Sequence, residues 1–478
     1  MNPGKGFRRF FGIAVLALVA AVVAGGSAGQ QGTEAEKRFR AWLAAFNSGD
    51  KATLLQFLEK SYPTRAKDID GMMEFREMTG GFELKKSEEA TATKFVALLK
   101  EKDSDQFARI TMEVQEAEPH QITKVELRAG PTPPEFKIVR TSEGEVIAGV
   151  KKLAEERTAA DKFSGAVAVS KNGNTIFEQA YGLADREKKT SSSVQTQFRM
   201  GSMNKMFTAT AILQLAQAGK LNLTDPLGKY LTDYPNRDIA TKVTIHHLLT
   251  HTGGTGDFFG PEFDKHRLEL KTLEDYVKLY GTRAPEFEPG SKWAYSNYGF
   301  LLLGLIVQKA SGQDYYEYVR EHIFKPAGMR LSDSLPEEQA VPGRSVGYTK
   351  FDGGQTWKPN TDTLPYRGTS AGGGYTTVED LLRFANALLN HKLLDVEHTD
   401  LLTTGHADTP RGAKYAYGFM DNREDGGRWF GHGGGAPGMN GDLRIYPDSG
   451  YVIAVLSNLD PPAAERISSY ASNRLPVK

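Results

Sequence analysis

The chain contains no cysteine, and this absence excludes disulfide bonds and thiolate chemistry. It also has no excess of charge of one sign, because Lys plus Arg and Asp plus Glu each number 59. A balanced chain creates no overall field that would attract nucleic acid, so we expect no nucleic-acid partner. The 478 residues exceed one ordinary domain, and this length favours two.

The apolar run at residues 10–24 is shorter than the roughly 20 residues that a membrane-spanning helix needs. Three basic residues precede this run: Lys5, Arg8 and Arg9. Gly26-Ser27-Ala28 follows it, and this order is typical of a secretory signal peptide. We predict a signal peptide over residues 1–28, export to the periplasm or the cell exterior, and no stable membrane span after cleavage. An uncleaved anchor is the alternative.

Residues 33–129 form a predicted small α+β N-terminal domain. Helical periodicity extends from Thr33 to about Tyr62 and is broken at Ser48-Gly49-Asp50. Four strand-like segments follow: 82–86, 92–101, 106–115 and 121–128. The stretch WLAAFNSGD resembles the nuclear-transport-factor-two-like cone fold over about 95 residues. That resemblance implies either a ligand pocket or a spacer, and we favour the spacer.

A linker over residues 130–144 opens with Gly130-Pro131-Thr132-Pro133-Pro134, which ends a strand and stiffens the chain. Residues 145–478 then form the predicted second domain. It begins with a helix over 145–162, and Asn172-Gly173 predicts a hairpin. Five strands are predicted at its two ends: 165–171, 174–182, 427–432, 441–446 and 451–457. This order predicts an α/β (α+β) fold, in which one antiparallel sheet pairs its first and last strands and helices cover both faces.

Ser202 and Lys205 lie three residues apart at the first turn of a helix predicted within the stretch Phe198–Lys220, with Gly219 as its expected stop. Residues i and i+3 share one helix face, so the spacing puts a hydroxyl beside an amine at the positive end of the helix dipole. Such a serine becomes a nucleophile when the amine can accept its proton. The apolar residues of this helix predict one buried face. The same spacing in Ser48–Lys51 lies in a turn, and we interpret it as chance.

Tyr295-Ser296-Asn297 follows a Pro-Gly turn and precedes a predicted helix over Tyr298–Ala310. A tyrosine can relay a proton to a leaving group, and an asparagine can hold a substrate amide. A second such triplet, Tyr234-Pro235-Asn236, contains proline and lies among charged residues, so we predict a surface turn there.

His432-Gly433-Gly434-Gly435 follows a strand-like segment. Glycines at such a position let a substrate approach the backbone and expose N–H groups that can stabilise an oxyanion. His251-Thr252-Gly253 has a similar pattern, but it ends a helix and precedes the tyrosine motif. We therefore assign it no catalytic role.

Ser202-x-x-Lys205, Tyr295-x-Asn297 and His432-Gly433-Gly434, in this order, resemble the motifs of the penicillin-recognising serine hydrolases. The resemblance covers about 330 residues, and it is strongest to the branch of class C β-lactamases, D-alanyl-D-alanine carboxypeptidases and related esterases. It implies a β-lactamase-like fold with an all-helical region. It also implies that Ser202 forms an acyl-enzyme, that Lys205 and Tyr295 transfer protons, and that Asn297 binds the substrate amide.

The resemblance further implies that His432, Gly434 and Gly435 bind substrate, with the N–H groups of Ser202 and Gly435 as the oxyanion hole. Many β-lactamases have lysine where this chain has His432. Because histidine is often neutral near pH 7, this difference favours esters or other amides over penicillins and D-alanyl peptides. The partner is then a small-molecule or peptide substrate, and the oligomeric state stays open.

Three other interpretations compete with this one. Gly368-Thr369-Ser370-Ala371-Gly372 matches the nucleophile elbow of α/β-hydrolases, but the segment before it is polar and contains proline. His246, His247 and His251 suggest zinc, but the glutamate that a zinc protease needs is Leu248. We therefore expect no metal and no cofactor. A catalytically inactive module that binds a peptide or protein partner is the non-enzymatic alternative.

Overall fold

The computed structural model of the protein describes residues 32–350, 356–410, 412–424 and 426–477. The predicted signal peptide, residues 1–28, lies outside these residues. Over the described ranges, no helix combines the length and the apolar character that crossing a membrane requires.

The N-terminal unit consists of three helices followed by a four-stranded antiparallel sheet in the order β1-β2-β3-β4. The helices are α1 (Glu34–Ser48), α2 (Lys51–Ser61) and α3 (Ile69–Thr79), and the strands are β1 (Phe82–Ala90), β2 (Lys94–Glu101), β3 (Phe107–Val114) and β4 (Ile122–Gly130). Gly49 ends α1 with a φ of 70°, a conformation that favours glycine. The predicted helices and strands of this unit are therefore confirmed.

The apolar core of this unit is separate from the rest of the protein. Its buried residues all lie between Ala35 and Ile122, while the next apolar cluster begins at Val146. Ion pairs join the unit to the second part of the chain: Lys162 contacts Asp103 at 2.6 Å, and Arg474 contacts Asp105 at 2.6 Å. The separate cores agree with two domains, although the boundaries at 129 and 145 stay a prediction.

The second part of the chain is built on an eight-stranded antiparallel sheet with the order β13-β14-β15-β16-β17-β18-β5-β6. Its strands are β5 (Gly165–Lys171), β6 (Asn174–Tyr181), β13 (Ala407–Asp408), β14 (Lys414–Tyr415), β15 (Met420–Glu424), β16 (Gly427–Ala436), β17 (Met439–Ile445) and β18 (Tyr451–Ser457). Strand β18 pairs with β5, from Tyr451 opposite Lys171 to Ser457 opposite Gly165. The prediction that the first and last strands pair is therefore confirmed.

Helices cover both faces of this sheet. On one face, α4 (Glu143–Ala159) and α15 (Ala463–Arg474) pack against residues such as Val167 and Ile453. On the other face lie α5 (Asn204–Gln217) and α13 (Val378–Leu389), together with a largely helical region. The alternation of buried residues along β5 and β18 produces these two apolar layers, and the predicted fold class is confirmed.

The remaining elements connect these layers. The short strands are β7 (Leu183–Asp185), β8 (Thr190–Ser191), β9 (Phe198–Arg199), β10 (Tyr348–Thr349), β11 (Lys358–Pro359) and β12 (Tyr375–Thr376). The helices are α6 (Arg237–Lys242), α7 (Ile245–Leu249), α8 (Pro261–His266), α9 (Leu273–Tyr280), α10 (Asn297–Ser311), α11 (Tyr315–Val319), α12 (Lys325–Ala327) and α14 (Val396–Thr403).

The prediction that the apolar face of α5 is buried is confirmed, and the burial extends beyond that face. Every residue from Asn204 to Leu213 is buried. Helix α5 packs against α10, α11 and α14, so its polar residues also need partners inside the protein. Thr208, for example, donates its hydroxyl to the carbonyl oxygen of Ser370 at 2.7 Å. A central helix of this kind holds its side chains in fixed positions.

Candidate active site

Ser202 lies in a sharp turn immediately before α5. Residues Gly201–Met203 form one 3-10 turn that leads directly into the helix. Gly201 has a φ of +54°, and a Cβ atom there would lie 3.0 Å from the backbone nitrogen of Gly435. Glycine is required at this position because both the left-handed backbone conformation and the nearby backbone of Gly435 disfavour a side chain. The turn presents the Ser202 side chain at the amino end of α5.

Lys205 is fully buried beside Ser202. Its Nζ lies 3.3 Å from Ser202 Oγ, donates to Asn297 Oδ1 at 2.6 Å, and also donates to the carbonyl oxygen of Ala371. Burial lowers the pKa of Lys205 to about 7, against the opposing effect of the Asp257 charge. A substantial fraction of neutral amine therefore exists near pH 7, and a neutral amine can accept a proton from the serine.

Tyr295 and Asn297 flank the start of α10. Ser296 caps this helix by accepting the N–H of Gly299 at 2.8 Å, which fixes the residues on both sides of it. The Lys205 ammonium nitrogen lies 4.8 Å from the centre of the Tyr295 ring. Burial raises the pKa of Tyr295, and its hydrogen bond with Ser202 opposes that increase. The structure thus brings Ser202, Lys205, Tyr295 and Asn297 together.

His432 lies on β16 and faces the same site. Its Nδ1 is 2.5 Å from the carbonyl oxygen of Gly433, which can only accept, so Nδ1 carries the proton. Nε2 then accepts from the Tyr415 hydroxyl at 3.1 Å. Burial and the charge of Lys205 lower the pKa of His432 to about 4. The imidazole is therefore neutral at physiological pH and supplies no fixed positive charge.

The glycines after His432 belong to β16, which continues to Ala436 rather than ending at the predicted residue 432. A Cβ atom on Gly434 would lie 2.0 Å from the carbonyl oxygen of Met200 and 3.1 Å from the nitrogen of Ser202. The strand and the Ser202 turn are therefore in direct backbone contact. This contact places the backbone nitrogen of Gly435 next to Gly201 and that of Ser202 next to Gly434.

Several residues of the site have no signal in the sequence. Asp257 accepts from Asn297 Nδ2 at 2.8 Å, and Ala371 supplies a carbonyl oxygen to Lys205. His251, to which sequence analysis assigned no catalytic role, has its ring centre 4.2 Å from that of Tyr295, and its Nδ1 accepts the N–H of Ser296 at 3.1 Å. Its position in the sequence, at the end of a helix before the tyrosine motif, gave no sign of this contact, because the fold brings these two segments together. His251 supports the tyrosine motif as a buried partner.

Three other motifs considered in the sequence analysis supply no side chain to this site. Ser370 is fully buried and its hydroxyl donates to the carbonyl oxygen of Leu301 at 3.4 Å; together with the antiparallel sheet, this makes the α/β-hydrolase interpretation wrong. Residues 232–235 form a turn in which Asp233 and Pro235 are exposed, as predicted, but the Tyr234 side chain is buried, with its hydroxyl 3.2 Å from that of Tyr298. Lys51 pairs with Asp70 rather than with Ser48.

The three histidines of the zinc interpretation have separate partners. The Nδ1 atom of His246 lies 2.8 Å from the Tyr417 hydroxyl, and the Nδ1 atom of His247 accepts the N–H of Thr244 at 3.3 Å as part of the cap of α7. Within the described part of the chain, no group of three or more His, Asp or Glu side chains is arranged to hold a metal ion.

Replacing Gly434 by alanine is expected to slow reaction at Ser202 by about 10- to 100-fold and to lower the free energy of unfolding by about 1–3 kcal/mol. The new methyl group would collide with the Met200 carbonyl oxygen and separate β16 from the serine turn. The rate of Ser202 labelling by a fluorophosphonate and a urea unfolding curve measure the two effects.

Gly433→Ala is the matched control, because the nearest atom to its new Cβ, the carbonyl oxygen of Gly441, lies at an ordinary distance of 3.5 Å. We expect labelling within about threefold of the parent protein, since a methyl group that meets no close neighbour costs little. Equal behaviour of the two variants would contradict the proposed contact between the strand and the turn.

Comparison with known proteins gives a consistent result. The Beta-lactamase family profile matches residues 150–476, so residues 33–129 lie outside it. PbpX of Bacillus subtilis (strain 168) is 32% identical over 296 residues, which are 62% of this chain and 70% of PbpX.

Two solved structures match the same part of the chain. The penicillin binding protein from Bacillus halodurans is 32% identical with a TM-score of 0.61, and the match covers 66% of this chain and 99% of that chain. The D-stereospecific amidohydrolase from Streptomyces sp. is 28% identical with a TM-score of 0.57, over 68% of this chain and 97% of that chain.

Proposed function

This chain belongs to the β-lactamase family of serine hydrolases, and from that premise we propose that it hydrolyses an ester, amide or peptide through an acyl-enzyme on Ser202. One observation carries the proposal. The Ser202 hydroxyl lies 3.3 Å from a fully buried amine, that of Lys205, whose pKa burial lowers to about 7. A buried amine that loses its proton near neutral pH suits general-base activation of a serine.

In the proposed acylation step, Ser202 Oγ attacks the substrate carbonyl carbon while neutral Lys205 accepts the hydroxyl proton. The developing oxyanion accepts hydrogen bonds from the backbone N–H groups of Ser202 and Gly435. The tetrahedral intermediate then collapses, the bond to the leaving group breaks, and the proton passes through Lys205 and Tyr295 to the leaving oxygen or nitrogen. The product is an ester between Ser202 and the acyl group.

Deacylation reverses these roles with water as the nucleophile. Tyr295, together with Lys205, accepts a proton from water as its oxygen attacks the acyl-enzyme, and the proton returns to Ser202 Oγ. Asn297 holds the acyl side of the substrate during both steps. Because burial raises the pKa of Tyr295, its phenolate form is disfavoured. The tyrosine therefore suits passing a proton in concert with Lys205 and does not suit holding a negative charge of its own.

The substrate class is part of the proposal. His432 is neutral and already hydrogen bonded to Gly433 and Tyr415, so it supplies no charge for the carboxylate of a penicillin or a D-alanyl peptide. This favours neutral esters or amides. The Streptomyces protein of similar fold is named a D-stereospecific amidohydrolase, a name that is compatible with an amide substrate here.

The alternative is a catalytically inactive protein that binds a peptide or protein partner. The filled positions of the nucleophile, base, tyrosine and asparagine favour turnover, because a scaffold that only binds has no need of a buried amine beside a serine. We further propose that residues 1–28 direct export and that residues 33–129 form a spacer domain joined to the hydrolase by the linker over 130–144.

A labelling and turnover experiment tests the proposal. The purified mature protein is treated with a fluorophosphonate, the adduct is located by mass spectrometry, and hydrolysis of nitrocefin, p-nitrophenyl esters and D-amino-acid peptides is measured. We expect the adduct on Ser202 and hydrolysis of at least one ester or amide. A folded protein that neither becomes labelled nor hydrolyses any of these compounds would support the binding module instead.

A further inference from the structure

Asp257 places a carboxylate beside the residue proposed to hold the substrate. Its Oδ2 accepts from Asn297 Nδ2 at 2.8 Å and from the Asn297 backbone N–H at 3.4 Å, while Oδ1 accepts the N–H of Phe258 at 2.6 Å. The other end of the Asn297 amide contacts Lys205 at 2.6 Å. One side-chain amide therefore links this carboxylate to the proposed general base. Asp257 is only partly buried, so part of the residue faces solvent.

Arg283, which binds the backbone of Asp257, does not pair with this carboxylate. Arg283 donates its Nη1 to the backbone carbonyl oxygen of Asp257 at 2.5 Å, and its guanidinium lies over the rings of Tyr280 and Tyr298. Across the described segments, Asp257 forms no ion pair with a lysine, arginine or histidine. Its negative charge is therefore held by hydrogen bonds to neutral groups.

The other titratable groups around the site do not supply a lasting positive charge. His432 is neutral at physiological pH, His251 is buried with a pKa well below its usual value, and Lys205 loses its proton near pH 7. When Lys205 is neutral, as the proposed mechanism requires, Asp257 is the charged group that remains next to Asn297. A substrate carboxylate would be repelled there, and a cation would be attracted.

We propose that Asp257 binds a protonated amine on the acyl side of the substrate, so that the preferred substrates are amino-acyl esters or amides with a free α-amine. This inference rests on the proposed hydrolysis at Ser202 and narrows its substrate class. The amine donates to Asp257, the acyl carbonyl lies between Ser202 and the oxyanion hole, and Asn297 lies between the two sites. The carboxylate then selects for the charge of the substrate as well as orienting the asparagine.

A charge series tests this inference. The kcat/KM of the protein is measured at pH 7 on alanine p-nitroanilides of both configurations with a free amine, an N-acetyl group or an N-succinyl group, which place a positive, neutral or negative charge at one position. We expect the free amine to react at least about 10-fold faster than the acetyl compound, since hydrogen bonds to charged groups are worth about this much. The succinyl compound should react slowest.

Asp257→Asn removes the charge and keeps the size of the side chain. We expect the ratio of free-amine to acetyl kcat/KM to fall about 10- to 100-fold. A residue that only positioned Asn297 would lower both values and leave their ratio unchanged, so an unchanged ratio would overturn the inference. The preference should also shrink at pH 9.5, where an α-amine with a pKa of about 8 is mostly neutral.

The remaining outcomes are also decisive. Hydrolysis at Ser202 without preference for the free amine would overturn the assignment of Asp257 and leave the proposed function intact. If no anilide is cleaved, protection of Ser202 from fluorophosphonate by alaninamide, compared with N-acetylalaninamide, measures the same selectivity. Equal protection by the two amides, or none, would again reject the inference. Absence of any labelling at Ser202 would reject the proposed function itself.

Discussion

Ser202→Ala is expected to reduce hydrolysis by at least about 10³-fold and to abolish labelling by a fluorophosphonate. The alanine variant lacks the oxygen that forms the acyl-enzyme, and among the residues that the structure describes, Ser202 supplies the hydroxyl in hydrogen-bond contact with the buried amine of Lys205, at 3.3 Å. The loss should appear in kcat, because the oxyanion hole and the acyl-binding residues remain. Single-turnover kinetics with the best substrate of the screen measure it, and circular dichroism verifies that the variant is folded.

Ser370→Ala is the matched control for this prediction. Ser370 stands in the sequence pattern of a different hydrolase class, and it is completely buried with one long hydrogen bond to Leu301. We expect its removal to leave labelling and hydrolysis unchanged and to cost about 1 kcal/mol of stability or less. Labelling at Ser370, or full activity in Ser202→Ala, would contradict the assignment of the nucleophile.

The parts of the fold that follow from local rules could be predicted from the sequence. Asn172-Gly173 adopts positive φ angles of 50° and 79° between two paired strands, as a two-residue hairpin requires. Ser202 and Lys205 are neighbours because a helix start fixes residues three apart. The three motifs occur in the same order as in a known family, and that resemblance predicted that they lie together in one site. In each case a short stretch of sequence determines the geometry, or a resemblance supplies it.

The rest of the site depends on contacts between distant segments. Asp257 reaches Asn297 across 40 residues, and Ala371 reaches Lys205 across 166. Neither residue has a distinctive spacing, and Ala371 acts through its backbone, which any residue could provide. The burial that lowers the pKa of Lys205 likewise comes from the whole core. Sequence patterns could therefore identify the nucleophile, but they could not identify the groups that tune it.

Lys205→Met is expected to lower the rate of Ser202 acylation by about 10²- to 10⁴-fold, the usual contribution of a general base. In the parent protein, burial lowers the pKa of Lys205 from 10.5 to about 7. The neutral, proton-accepting form therefore increases as the pH rises through about 7. We expect acylation to rise roughly tenfold per pH unit below this pKa and to level off above it. Stopped-flow measurements of acylation between pH 5 and pH 9 give this profile, which the methionine variant should lack.

A second group titrates in the same range and has to be separated from Lys205. Glu465, in the first turn of α15, has a pKa raised to about 7 by burial and by the charge of Asp442. It lies behind β16, where its Oε1 would be 3.8 Å from a Cβ atom on Gly433. Glu465 becomes an anion as the pH rises and would then repel Asp442 on the neighbouring strand β17, so its ionisation can also change the acylation rate in this pH range.

Glu465→Gln therefore decides between the two groups, because glutamine keeps the shape of the neutral acid and cannot ionise. If Lys205 is the base, the rising limb near pH 7 persists in this variant. Disappearance of that limb would instead assign the titration to Glu465. Asp257→Asn gives an independent check on Lys205. The Asp257 charge stabilises the protonated amine, so its removal should move the limb to lower pH, whereas a limb caused by Glu465 should not move.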